Sequence, residues 1–130
     1  MKLLDTDTCI GILRGKQQVL ERRAAETDEV VTTWVTAAEL YFGASKSMAP
    51  DSNRIVVDEF LSTLPVLRPG LASAQVFGEA KALLQRAGTP LADADLFIAA
   101  IAVVNSATVV TGNLRHFGRI PGVHVENWIR

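Results

Sequence analysis

Short apolar, largely β-branched runs alternate with longer stretches of helical spacing, and this pattern constrains the chain more than any other feature of its sequence. The runs at residues 2–4, 29–34 and 107–111 read as strands, with a brief third or edge strand at 65–69, bounded by Pro65 and Pro69, and a last short one at 123–125. Strands separated by helices return through crossovers, so they pair in parallel and need a helical layer on each face. The expected fold class is therefore α/β, a sandwich around a mostly parallel central sheet. A length of 130 residues with 48% hydrophobic side chains suits a single domain spanning 1–130.

Helices are expected at 8–14, at 17–25 after Gly15, and from about Thr36 onward. Further helices are expected at 53–64 after a polar loop at 45–52, at 71–87 ended by Gly88, and at 92–105. A formal charge of -1 and a pI near 6.1 give no basic signature, although an acidic site would mask some basic surface in that sum. Cys9 is the only cysteine, which excludes an intrachain disulfide and fits a reducing compartment. An acid at position 5 comes too early for the apolar core of a secretory leader. The apolar run at 96–104 is roughly half a membrane span. The expectation is a soluble, cytoplasmic protein without membrane association.

Asp5 directly follows Leu3-Leu4, so the first strand ends in a carboxylate at the rim where ligands of α/β sheets bind. Glu39 and Asp95 also stand in apolar company, and Asn113 follows the strand that ends at Thr111. Three such carboxylates converging from distant parts of a chain suit a hard cation. Each also has a plainer reading. Asp5 suits a helix cap, although Thr6, Asp7 and Thr8 are better placed for one. Thr36-Ala37-Ala38-Glu39 fits a capping box. Asp93 and Asp95 both favour the positive end of a helix, but residues two apart point about 200° away from each other. Asp93 is then the natural cap, and Asp95, on the face of Ile98, Ala99 and Ala102, is the ligand. His116 and His124 lack partners at metal-ligand spacing and read as ordinary loop or strand residues. No glycine-rich dinucleotide or P-loop pattern is present, and Cys9 has no evident base.

Leu4-Asp5-Thr6-Asp7, Ala38-Glu39-Leu40 with Gly43-Ala44, Asp95-Leu96-Phe97-Ile98-Ala99-Ala100, Val110-Thr111-Gly112-Asn113 with His116-Phe117, and Glu126-Asn127-Trp128 occur in this order. Together they resemble the PIN-domain ribonucleases of the VapC toxin type over essentially the whole chain. The resemblance implies a PIN-like α/β/α sandwich and hydrolysis of RNA phosphodiesters with Mg²⁺ or Mn²⁺. It places Asp5, Glu39 and Asp95 as metal ligands and Asn113 as the fourth catalytic position. Many members carry Asp at that position, and most carry Asn where this chain has Asp7. Thr6, Asp7, Asp93 and Thr111 then become auxiliary residues around the acids. The resemblance also implies a homodimer and a VapB-type antitoxin that covers the acids in a heterotetramer or larger assembly. Transfer RNA and ribosomal RNA are both plausible substrates.

An acidic site needs basic surroundings to hold RNA, which makes Arg14, Lys16, Lys46 and Arg115 the leading candidates, with Arg22, Arg23 and Arg119 behind them. Trp34, Tyr41, Phe42 and the helix over 53–64 offer partner surface, unless core packing claims them. Two rival readings follow from the same residues. Asp5-Thr6-Asp7-Thr8 also resembles the start of haloacid-dehalogenase-type phosphatases, with Asp5 as nucleophile, Asp7 as general acid and Lys81 the available lysine. Asn113 alone would fit a catalytically silent PIN-fold binding module.

Overall fold

In the computed structural model, which describes residues 1–129, β1 (Lys2–Leu4) is the middle strand of a five-stranded sheet. From β1 the chain runs through α1 (Thr6–Leu13) and α2 (Gln17–Ala25) to β2 (Val30–Thr33), then through α3 (Trp34–Ser45) and α4 (Pro50–Leu61) to β3 (Val66–Leu67). It returns through α5 (Leu71–Arg86) and α6 (Asp93–Val104) to β4 (Thr108–Val110), and closes with α7 (Leu114–Phe117) and β5 (His124–Glu126). The strand order is β3-β2-β1-β4-β5, and every neighbouring pair is parallel.

Leu3 and Leu4, adjacent in a strand, point to opposite faces of the sheet. Leu3 joins Val31, Val109 and the buried faces of α5 and α6 in one core. Leu4 joins Val30, Val110, Cys9 of α1, Val19 of α2, Leu40 of α3 and Val57 of α4 in the other. Both leucines are fully buried, so the middle strand supplies both cores at once. This is the expected α/β/α sandwich, and its sheet is parallel throughout.

Several boundaries differ from the sequence reading for identifiable reasons. α4 begins at Pro50, inside the expected loop, because proline at the first helical turn forfeits no hydrogen bond. α3 begins at Trp34 because Thr33, the last residue of β2, caps it by accepting from the Thr36 backbone N–H at 3.1 Å. The four-residue α7 was not expected, and β5 lies one residue later than expected. Among the described residues no helix is long and apolar enough to cross a membrane.

Candidate active site

The chain lays down β1, β2 and β3 outward on one side of the sheet, then returns to place β4 on the other side of β1. Strand order therefore reverses between β1 and β4, and in open parallel sheets the crevice beyond the carboxyl ends at such a point is where ligands bind. Asp5 follows β1 and Thr111 to Asn113 follow β4, so both segments open on that crevice. α3 brings Glu39 to the same rim, and the first turn of α6 brings Asp95.

Asp5 is buried, and it caps α1: its Oδ1 accepts from the Thr8 backbone N–H at 2.9 Å. The expectation that Thr6, Asp7 or Thr8 would cap in its place is thus corrected. Capping and facing the crevice are compatible because a carboxylate has a second oxygen and spare lone pairs. Burial pushes the Asp5 carboxyl above its ordinary range, against the hydroxyls of Thr111 and Thr8 and the Thr8 N–H, which favour the charged form. The Asp7 charge pushes it up further.

Glu39 has no capping duty, since Thr33 rather than Thr36 caps α3. It lies exposed on the helix flank, where the Thr6 hydroxyl donates to its Oε1 at 2.6 Å and lies 3.2 Å from the Thr36 hydroxyl. Asp95 is partly buried, and its carboxyl is raised first by burial and then by the charges of Glu39 and Asp7, with His116 acting in the opposite direction. The charges of Glu39 and Asp7 therefore reach Asp95. These acids do not form a ready-made cage, because among the described residues no three His, Cys, Asp or Glu side chains are placed to share one ion directly. The donor set still suits Mg²⁺, which keeps most of its waters and needs only one or two direct carboxylates.

Asp93 faces away from the crevice. It is the first residue of α6 rather than its cap, which is Ala92, and it pairs with Lys81 of α5 at 2.9 Å. That pairing also takes up the lysine the phosphatase reading needs. Asn113 sits on the rim with its backbone N–H donating to Thr111 Oγ1 at 2.9 Å and its side-chain Nδ2 2.6 Å from His116 Nδ1. The same His116 nitrogen lies 4.0 Å from Asp95 Oδ2, so this histidine belongs to the rim and is not the ordinary loop residue expected. Its signal was Asn113-Leu114-Arg115-His116, a three-residue spacing that gains meaning only once α7 is known to be helical.

Two clefts run away from the acids. The larger, about 650 Å³, passes from Thr6, Asp7 and Glu39 between α1, α3 and α4, with Leu40, Phe42 and Val56 among its walls. Arg14 and Lys46 also line it, and the Lys46 ammonium lies 4.9 Å from the centre of the Phe42 ring. The smaller, about 350 Å³, starts from Asp7 and Asn113 and is bordered by Arg14, Lys16 and Asn127. Arg115 borders neither cleft. Arg22 is engaged by Glu126 at 3.1 Å. Trp34 and Phe42, for which core packing was the plainer expectation, are more than half exposed.

Residues 2–123 match the PIN domain family. This chain belongs to that family. The chain is 41% identical over 127 residues to the tRNA(fMet)-specific endonuclease VapC of Salmonella typhimurium, covering 97% of this chain and 96% of the relative. It is 34% identical over 128 residues to the ribonuclease VapC2 of Haemophilus influenzae, covering 98% and 97%. The crystal structure of DNA-bound VapBC from Salmonella typhimurium superposes with a TM-score of 0.91 at 41% identity, covering 98% of this chain and 97% of that one. The PIN family match overturns the phosphatase reading.

Proposed function

We propose that this PIN-domain protein is an endoribonuclease toxin that hydrolyses RNA phosphodiesters with Mg²⁺ or Mn²⁺ and is restrained by a VapB-type antitoxin. The observation that carries the reading is electrostatic. Burial raises both the Asp5 and Asp95 carboxyls from their ordinary value, neighbouring carboxylates raise them further, and a divalent cation would relieve that added repulsion. The VapC names of the relatives and the VapBC assembly of the structural neighbour support the activity and the partner.

Asp5, Glu39 and Asp95 would hold the ion, which supplies an activated water and offsets charge on the phosphate. The chain's own groups prepare the rest. Thr6 fixes the Glu39 carboxylate, so its oxygen does not have to be ordered when substrate arrives. Thr8 and Thr111 steady Asp5 in the charged form against its burial. Asn113, tied to His116 and to Thr111, offers a neutral amide where a fourth carboxylate would repel the incoming phosphodiester. Arg14, Lys16 and Lys46 surround the acids with positive charge that holds the RNA backbone. Phe42, Val56 and the other apolar walls of the larger cleft suit an apolar segment of the antitoxin.

Incubation of antitoxin-free protein with total bacterial RNA plus Mg²⁺ or Mn²⁺ tests the proposal. Discrete cuts, mapped by sequencing, should vanish with EDTA and in Asp5→Asn. Folded, metal-loaded protein that cuts no RNA would instead indicate a silent binding module.

A further inference from the structure

We infer that the smaller cleft is a subsite for one unpaired ribonucleotide adjacent to the bond being cut. The inference rests on the ribonuclease reading and adds the form of substrate and the residues that read it. Asp7 and Asn113 at one end tie the cleft to the acids, so its occupant is covalently next to the reacting phosphodiester. Its volume of about 350 Å³ lies at the small end of ligand sites, the scale of one nucleotide rather than a helix.

The walls carry complementary chemistry. Arg14 and Lys16 are both exposed, and neither forms an ion pair among the described residues. The turn between them depends on Gly15 at φ +68, a conformation costly for any other residue, and is closed by Lys16 N–H donating to Gly11 at 3.0 Å. Two cations are thereby held at one corner, where a phosphate would sit.

The opposite wall carries two amides with different atoms left over. Asn127 Oδ1 is committed to the Ile129 N–H at 2.8 Å, which leaves its NH₂ as a donor. Asn113 has its nitrogen against His116, which leaves its oxygen as an acceptor. One donor and one acceptor match the hydrogen-bonding edge of a base. Gly112 lets Ile129 close the floor, since a Cβ there would lie 2.8 Å from Ile129 Cδ1. A base edge is available to such a recess only when the nucleotide is unpaired. The larger cleft differs, since Leu40, Phe42 and Val56 give its walls apolar surface beside the polar residues, a mixture that fits a peptide better.

The test uses full-length protein carrying Asp5→Asn to prevent cutting, with a labelled 12-nucleotide oligouridylate and a 12-base-pair RNA duplex as probes. Arg14→Gln/Lys16→Gln should weaken single-strand binding about tenfold and reduce the log–log salt slope by about 1.4, the value for two phosphate contacts on a single strand. The control pair Arg68→Gln/Arg86→Gln, which removes the same charge outside both clefts, should change affinity less than about twofold. In the active protein, Asn127→Asp keeps the oxygen that holds Ile129 but loses the donor, and should change the nucleotide preferred beside the cut in total bacterial RNA. Equal affinity in the cleft variants, equal loss in the control pair, or tighter binding of the duplex would overturn the inference. So would loss of antitoxin binding with RNA binding intact, which would assign the cleft to a protein. Absence of cleavage by the unmodified protein would count against the ribonuclease reading, whereas cleavage with unchanged groove variants would count against the subsite alone.

Discussion

The two clefts that meet at Asp7 share Ile10 and Arg14 and diverge from there. The larger is walled by helices, so its surface consists of side chains at helical spacing, with apolar Leu40, Phe42 and Val56 set among polar and charged groups. The smaller is bordered by one face of α1, the turn after it, the segment after β4 and the segment after β5, which bring Arg14, Lys16, Asn113 and Asn127 to its walls. Helix faces present large apolar area suited to another protein, while irregular backbone presents polar atoms at close range. On the proposed function, a chain that holds an antitoxin and an RNA near the same acids gains from keeping the two kinds of surface apart.

The largest effect should come from Asp5, which is buried two residues before Asp7, where the clefts meet. Asparagine caps helices as well as aspartate does, so Asp5→Asn leaves α1 intact while removing the charge. RNA cleavage should fall by about 100-fold or more, on the scale seen when groups that serve a metal are removed, with antitoxin affinity altered less than about twofold. Comparable losses of both functions would mean that the two surfaces are one.

A smaller effect should separate the clefts from the other side. Phe42 is 64% exposed and Val56 45%, so neither holds the core together. Phe42→Glu or Val56→Asp should weaken the complex with a VapB-type antitoxin by about 30-fold, the cost of burying a charge at a central contact. Cleavage of free RNA should not change, as measured by titrating the antitoxin against wild type and variant in parallel. Loss of cleavage instead would assign the larger cleft to substrate.

The sheet could be read from the sequence because burial on both faces leaves near-continuous apolar runs, as at Leu3-Leu4 and Val109-Val110. Asp5 stood out for the same reason: a carboxylate directly after a buried strand has few destinations. Helix starts were harder to read, since Thr33 and Thr36 are equally good caps on paper and only the end of β2 decides between them. Asp93 was expected to cap α6, but Ala92 occupies that position and Asp93 pairs with Lys81. Lys81, twelve residues upstream, draws Asp93 aside, and no local pattern encodes that contact. His116 was missed because its partners, Asn113 and Asp95, meet it only through α7 and the first turn of α6.

A third effect sharpens the comparison through stability. Glu126 in β5 accepts from Lys2 at 2.6 Å and pairs with Arg22 of α2, which anchors the strand leading to Asn127. The hydrogen bond from Lys2 holds the Glu126 carboxyl below its ordinary 4.5. Its stabilisation is therefore present above that value and is lost as pH falls through the lower folded value. Glu126→Gln should cost about 1–2 kcal/mol at neutral pH, read by denaturant unfolding, and should remove part of the acid sensitivity below 4.5. Weakened RNA binding with intact antitoxin binding should accompany it, because this anchor supports only the smaller cleft.

The smallest effect concerns the buried carboxyl that caps α1. Asp5 is raised from its ordinary 3.8, so between that value and its folded one the native state holds a proton that the unfolded chain has released. Unfolding then releases a proton, and metal-free stability falls as pH rises through that window and stays lower above it. Asp5→Asn, which cannot charge, should raise the melting temperature at neutral pH in EDTA. The rise should be smaller than the loss caused by Glu126→Gln, because the contacts from Thr111 and Thr8 offset much of the burial cost in the wild type. Adding Mg²⁺ should stabilise the wild type and leave the variant nearly unchanged, since only the wild type has the buried charge for a cation to relieve. A variant less stable than wild type in EDTA would mean that Asp5 serves chiefly as the α1 cap; a higher melting temperature combined with lost cleavage would show a group kept for chemistry at the expense of the fold.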